Sequence, residues 1–464
     1  MTKFYILFLF LSFNAVQAKE NPIPLQIQKE IKKQALKTNS LGMIISQIKS
    51  NSEISPVYKL NENKLFIPAS LVKIASLSVL YDLYPISYTF KTSFVSSANI
   101  RKGALLGDLV LKGGGDSSFT SEHLWKLVNN LTRSGLKKVE GDLLIDDSLY
   151  KKEPALPYSE RSYLALSSAS SFNWNSVAFY IRPAQKLHQP ALVFANPQNS
   201  YVEVVNKVKT GKKNKIFIKR RAISSKKEVF EIKGEINISG KEIVKYRNIT
   251  KPALWLGHNV ISFLNQRGLK VTGKVKKGAC KGSCRELAEW ESRPFPFHAY
   301  NMMKYSSNFI ARMLVSHLPL LKGKNKGDLN QGMKKIRNHL KTTASINNFQ
   351  MIEPSGLNRK NKFTPLDLQK ILIQSEKKYY RPEMFFSYPL AQGKGTLSKR
   401  FEQLSSSAYV RAKTGSLYGI LGLAGWAGDK NNKYVFVFIF NGRAGQSAKA
   451  QDLFDKVILS LTRK

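Results

Sequence analysis

Three short clusters hold the residues of this chain whose types and order could do chemistry: Ser70-Leu71-Val72-Lys73, Ser306-Ser307-Asn308 and Lys413-Thr414-Gly415. A serine hydroxyl is a poor nucleophile until a nearby base takes its proton. A lysine one helical turn on lies on the same face. Burial beside other cations lowers its pKa until the neutral amine can be that base. A backbone N–H at a helix start suits an oxyanion hole. The chemistry so described is acyl transfer through a serine ester. Ser306 and Asn308 add a hydroxyl that can relay a proton and an amide that can fix the lysine. Lys413 and Thr414 can hold a carboxylate, and Gly415 lets a substrate backbone come close.

The strings themselves are common in a chain this rich in Ser and Lys. Ser-x-x-Lys recurs at Ser46, Ser134, Ser148 and Ser375, Ser-x-Asn at Ser97, Ser171 and Ser345, and Lys-Thr-Gly at Lys209. Context selects among them. Pro68-Ala69 followed by Ser70 and an apolar-rich run to about Tyr84 predicts a helix starting at Ser70. Lys413 to Leu417 leads into a glycine-studded apolar stretch, Gly419 to Trp426, and then into Tyr434 to Phe440, a buried strand. That pattern predicts an edge strand of a hairpin. Lys209-Thr210-Gly211 has no such strand after it and reads as a chance match.

The elements that must position these residues fall at the two ends of the chain. Leu25 to Leu36 has helical spacing, Leu41 to Ile48 reads as a strand, and Tyr58 to Asn61 begins a turn toward a second strand. Helical periodicity returns from His298 through Met302, Tyr305, Ile310, Met313 and Leu314, and the chain closes with an amphipathic helix from about Gln446 to Leu461. From about Lys91, short β-like runs alternate with glycine turns, as in Gly107 to Asp116 and Gly141 to Asp146. The triple glycine 113–115 has no Gly-Lys-Ser/Thr after it and is a tight turn, not a phosphate loop. The expected fold is α/β (α+β), its catalytic domain (19–92 and 288–464) split by a β-rich insert (93–287) with a smaller basic subdomain at about 178–250.

The three motifs in this order resemble the serine penicillin-binding proteins and β-lactamases. About 230 residues separate Lys73 from Ser306, far more than in ordinary β-lactamases. In this the chain is similar to the class C low-molecular-mass penicillin-binding proteins, the S13 family of D-alanyl-D-alanine carboxypeptidases/endopeptidases, which carries a large insert here. Pro68-Ala69-Ser70, Gly107 to Asp116, Gly141 to Ser148 and Pro354 to Arg359 with Thr364-Pro365 resemble that family's signatures, over nearly the whole mature chain. The resemblance implies a penicillin-binding/β-lactamase-like catalytic domain in which Ser70 is acylated and Lys73 is general base. Ser306 and Asn308 would complete the proton relay, Lys413 and Thr414 would bind the substrate's carboxylate end, and Gly415 would lie against the substrate. Ser416 would lend its backbone N–H to the oxyanion hole, and Arg359 would touch the substrate's acidic branch. The implied partners are peptidoglycan peptides and β-lactam antibiotics, with no metal or organic cofactor. Glu353 supplies the acidic residue usual two before Ser-Gly-Leu, whereas Pro354 and Tyr418 depart from the family's pattern and bear on acceptor-peptide preference.

Charge and compartment fit the same reading. The chain carries 74 Lys+Arg against 31 Asp+Glu, a formal net charge of +43. Lys3, the apolar run Phe4 to Phe13 and Ala15-Val16-Gln17-Ala18 predict a secretory signal cut after Ala18 and hence a periplasmic protein. The run is too short for a transmembrane anchor. Export turns the charge away from nucleic acid and toward anionic wall or membrane polymers. Lys207 to Lys227 concentrates it, with ten Lys/Arg and no acidic residue. Cys280 and Cys284 can close a disulfide in an oxidising compartment. The six histidines lack HxH or HExxH spacing, which disfavours a metallohydrolase. Two rivals stand beside the main reading: a serine β-lactamase, disfavoured by the insert, and a non-catalytic basic wall-binding protein, disfavoured by the intact motifs. Oligomeric state has no signal in the sequence.

Overall fold

A computed structural model describes residues 23–153, 159–224 and 226–462; the expected leader, 1–18, lies outside the described residues. One antiparallel sheet is built from both ends of the chain, in the order Tyr409–Leu417, Ile420–Gly428, Lys433–Asn441, Leu41–Ile48, Ile54–Leu60. Its central strands are apolar on both sides because helices cover both faces. Alternation divides them: Phe436, Phe438 and Phe440 pack with Ile27, Phe454 and Val457 from the helices Ile23–Lys33 and Ser447–Leu461. Val435, Val437 and Ile439 face the other way, against a core with Leu77, Leu80, Ile310, Ile336 and Leu372. Those residues belong to the helices Val72–Leu83, Asn308–His317, Leu329–Thr342 and Pro365–Ser375.

The stretch between has its own core, which includes Phe94, Leu109, Leu143, Phe179, Phe230 and Trp255. Lys91–Ser96 pairs antiparallel with Arg285–Glu291, so the chain enters and leaves this region on neighbouring strands. They are part of a five-stranded sheet completed by Leu109–Lys112, Leu143–Asp146 and Val275–Lys277. Two three-stranded sheets follow. Leu192–Asn196, Ser176–Arg182 and Ile243–Asn248 form one; Val202–Gly211, Glu228–Asn237 and Lys215–Ile223 form the other. Their inner faces meet, Phe179 lying 5.1 Å from Phe230 between ring centres. The molecule is thus an α/β (α+β) protein with a β-rich insertion. Cys280 and Cys284 are joined by a disulfide. Among the described residues, no helix is long and apolar enough to cross a membrane.

Several local expectations shift. The residues Tyr58 to Leu60 end the strand Ile54–Leu60 instead of leading to one, and the turn begins at Asn61, whose φ is 51°. The periodicity from His298 to Leu314 is carried by two helices, Phe295–Lys304 and Asn308–His317, broken where Ser306 takes φ 54°. The insert also holds two helices that a strand-and-turn reading passes over. Ser121–Arg133 announces itself through Leu124, Leu127, Val128 and Leu131 after Thr120. Pro252–Gln266 buries so much of its surface that its apolar residues show little contrast from face to face.

Candidate active site

The expected helix at Ser70 begins two residues later. Ala69–Leu71 forms a 3₁₀ turn, and regular helix runs Val72–Leu83. Ala69 takes φ 46°, a left-handed conformation costly for a residue with a Cβ. The turn is clamped on all sides. The Asn441 side chain accepts from Ile67 N–H at 2.8 Å and donates to Ile67 O at 3.1 Å. Phe66 and Phe363 exchange both backbone hydrogen bonds at 3.0 Å. Glycines let the neighbours approach. A Cβ on Gly356, at φ +93°, would stand 2.1 Å from Ala69 O, and one on Gly415 would stand 2.9 Å from Pro68 O and 3.3 Å from Ser70 N. Strain of this kind persists only where surroundings over-determine it, and it clusters at functional sites.

Ser70 is half-buried, while Lys73, one turn on, is fully buried. The Lys73 ammonium donates to Ser70 Oγ at 3.2 Å, to Asn308 Oδ1 at 2.8 Å and to the Ser355 carbonyl. Ser70 Oγ donates weakly to the same carbonyl at 3.3 Å. Burial is the main influence on Lys73 and brings its pKa down to about 7, against a smaller upward pull from Glu353. Near neutrality the amine is therefore neutral half the time, and its lone pair can then accept the Ser70 proton across the same contact. The Ser355 carbonyl is set by a tight loop. The Glu353 carboxylate accepts from Ser355 N–H at 2.8 Å, Gly356 N–H at 2.6 Å and Asn358 N–H at 3.2 Å. Asn361 closes the loop by accepting from Ile352 N–H at 2.7 Å.

The opposite wall comes from the break between two helices and from the sheet edge. Ser307 caps the second helix, accepting from Ile310 N–H at 3.2 Å, which leaves Asn308 in its first turn and Ser306, half-buried, in the break. Lys413, also fully buried, donates to Ser306 Oγ at 2.8 Å and to the Thr414 carbonyl at 2.6 Å. Burial and then repulsion from Lys73 hold Lys413 well below the ordinary lysine range. Tyr409–Leu417 is the edge strand. Its outer edge pairs with the segment 389–391, Ala412 N–H donating to Pro389 O at 3.0 Å and Ala391 N–H to Val410 O at 2.9 Å. Strand alternation points the N–H groups of Thr414 and Ser416 the same way as that of Ala412, beyond where this pairing stops. Ser416 N–H and Ser70 N–H thereby flank Gly415 and can serve a developing oxyanion. Arg359 is not drawn into this cluster; it donates to the Tyr418 carbonyl at 3.0 Å, at the turn after Leu417.

Ser70, Lys73 and Asn308 thus meet in one hydrogen-bonded group, and Ser306 and Lys413 in a second, with Gly415 against the Ser70 turn. Sequence reasoning missed the Ser355 carbonyl, since a backbone acceptor has no side-chain signature; the acidic residue with a glycine three later was the available sign of its loop. Among the described residues, no group of three or more His, Cys, Asp or Glu could hold a metal ion.

D-alanyl-D-alanine carboxypeptidase DacB of Haemophilus influenzae is 24% identical over 413 residues, 87% of this chain and 86% of that one. A D-alanyl-D-alanine carboxypeptidase of Actinomadura sp. is 23% identical over 435 residues, 88% of this chain and 79% of the relative. The crystal structure of penicillin binding protein 4 from H. influenzae matches with a TM-score of 0.76 at 20% identity, covering 93% of this chain and 99% of that one. The same protein has been solved in complex with a β-lactam, matching at TM-score 0.73 and 21% identity. This likeness places the fold among penicillin-binding proteins. The model of the D-Ala-D-Ala carboxypeptidase 3 (S13) family matches residues 24–461, and with a match that runs the length of the described fold, the chain belongs to that family of hydrolases.

Proposed function

We propose that this family member cleaves D-alanyl peptide bonds of peptidoglycan through an acyl-enzyme on Ser70, and that β-lactams acylate the same serine. The observation that carries the proposal is the buried Lys73 amine, bonded to Ser70 and Asn308 and brought to a pKa of about 7. The carboxylate end of the peptide is held by Lys413 and Thr414. Its arrival reverses the pull on Lys413, because a nearby anion favours the charged amine. The scissile carbonyl oxygen lies between the N–H groups of Ser70 and Ser416. Ser70 Oγ forms a bond to the carbonyl carbon while its proton passes to Lys73. The tetrahedral intermediate collapses, the C–N bond breaks, and the proton reaches the departing amine through the Ser306 hydroxyl. D-alanine or a cross-linking amine leaves. Water then attacks the ester, returns a proton to Ser70 and releases the peptide. Arg359 and Tyr418, beyond the edge strand, border the path of the peptide's side branch.

The catalytic domain comprises residues 19–92 and 288–464, and the insert 93–287 includes a basic subdomain near 178–250. The protein is exported to the periplasm after a cut following Ala18, and its +43 charge draws it to anionic wall or membrane polymers. Incubation with muropeptide monomers ending in D-alanyl-D-alanine and with cross-linked dimers, followed by mass spectrometry, tests the reaction. Loss of one alanine from monomers, or conversion of dimers to monomers, is expected. Rapid turnover of a β-lactam with neither peptide product identifies a β-lactamase instead, and binding of wall with no product identifies the non-catalytic rival.

A further inference from the structure

The first three-stranded sheet of the insert has an unusual outer face. Residues directly opposite one another on antiparallel strands share a face. Phe194 lies opposite Tyr180 and Tyr180 opposite Val244; Leu192 lies opposite Arg182, and Tyr246 opposite Ala178. The alternate set, Val177, Phe179 and Ile181, is buried in the insert's core. An antiparallel sheet with one face on a core ordinarily presents polar residues on the other. Here Leu192, Phe194 and Tyr246 are 51%, 51% and 52% exposed, with half-buried Tyr180 and Val244 between them. A contiguous apolar face left to solvent marks a contact surface.

Its surroundings select the occupant. Residues 178–250 carry 16 Lys/Arg against five Glu. Lys241 is exposed just ahead of the strand that carries Val244 and Tyr246, and Lys186 is exposed in the connection that leads to Leu192. Glu242, the acidic residue at this rim, is bonded to Arg182. A second copy of the chain is a poor partner, since each copy brings a net charge of +43. A neutral glycan calls for several oriented hydrogen-bonding groups beside the rings, and the row across the middle of this face, Phe194, Tyr180 and Val244, offers a single hydroxyl. Rings and aliphatic groups inside a cationic rim suit an anionic lipid surface, where aromatics settle at headgroup level and each nearby Lys or Arg adds attraction.

We propose that this sheet face docks the protein on anionic phospholipid, with Leu192, Phe194 and Tyr246 entering the headgroup layer and Lys186 and Lys241 meeting lipid phosphates. The inference rests on the functional reading only for placing the protein beside an envelope membrane; Ser70 plays no part in it. Co-sedimentation of the chain from residue 19 with phosphatidylglycerol/phosphatidylethanolamine vesicles, and with phosphatidylcholine vesicles, tests it. Binding to the anionic vesicles is expected, weakening with added salt. The combined variant Leu192→Ser, Phe194→Ser and Tyr246→Ser should bind them about tenfold more weakly while its thermal unfolding stays cooperative. A Lys186→Gln, Lys241→Gln variant, which leaves the apolar cluster intact, should lose anionic selectivity and guards against misfolding of the first. Undiminished vesicle binding by both variants overturns the proposal. So does binding to lipid-free sacculi but not to vesicles, or a dimer in sedimentation that only the serine variant abolishes. Vesicle binding without any penicillin adduct sinks the functional reading and leaves this one standing.

Discussion

The pH dependence of acylation follows from the position of Lys73. If the amine must be neutral to take the Ser70 proton, the acylation rate tracks its unprotonated fraction. Burial lowers its pKa from 10.5 to about 7. That fraction is then about 9% at pH 6, about 50% at pH 7 and about 91% at pH 8. Acylation by a fluorescent penicillin should therefore quicken about tenfold between pH 6 and pH 8 and rise little from pH 8 to pH 9. A lysine left at its ordinary value would behave differently, climbing about tenfold per unit through pH 9, or about 100-fold between pH 6 and pH 8. The sign also predicts a variant. Asn308 Oδ1 accepts from the charged amine at 2.8 Å, so Asn308→Ala removes support for the charged form. Its midpoint should move down by about one unit, the size of one hydrogen bond to a charged group. Rates taken by stopped flow or quenched-gel labelling at fixed ionic strength suffice. A profile that keeps rising tenfold per unit beyond pH 8, or a midpoint that moves upward in Asn308→Ala, refutes the argument.

Three other substitutions probe the scaffold. Gly356→Ala places a Cβ 2.1 Å from Ala69 O at φ +93°, so the Ser70 turn must shift; acylation should fall on the order of 10²-fold, as it does for misplacements near 1 Å, while the overall circular dichroism is retained. Asn441→Ala leaves both backbone groups of Ile67 without their side-chain partner, and denaturant melts should show a loss of about 1–3 kcal/mol. Tyr418→Ala removes a ring that is 84% exposed beside the cleft. It should leave penicillin acylation within about twofold and change KM for branched muropeptides, which equal kinetics on both substrate types would contradict.

Much of the arrangement was readable in the chain. The buried strands around Tyr434 to Phe440 and the helix after Ser70 are local patterns, legible because periodicity and breakers act over a few residues. That the elements carrying the motifs fall at the two ends of the chain was legible through motif order and the long spacing between Lys73 and Ser306; that strands from both ends share one sheet was not. What stayed hidden was backbone. Ala69 at φ 46° and Ser306 at φ 54° are ordinary residues in left-handed conformations, imposed by their neighbours and not by their own preference. The Ser355 carbonyl that accepts from Lys73 belongs to a loop fixed by Glu353, and its aim depends on four short-range hydrogen bonds to that carboxylate, from Ser355, Gly356, Asn358 and Asn361, whose spacing follows no regular pattern. The helix Ser121–Arg133 was different in kind: its apolar spacing was present, and the surrounding glycine turns outweighed it.

The central claim is that Ser70 is the acylated nucleophile. Intact-mass spectrometry of the protein after exposure to penicillin, wild type beside Ser70→Ala, tests it most directly, with peptide mapping of the adduct. One persistent penicilloyl adduct is expected in the wild type, mapped to the peptide containing Ser70, and none in the variant. An adduct on another residue, or one of equal yield in Ser70→Ala, contradicts it.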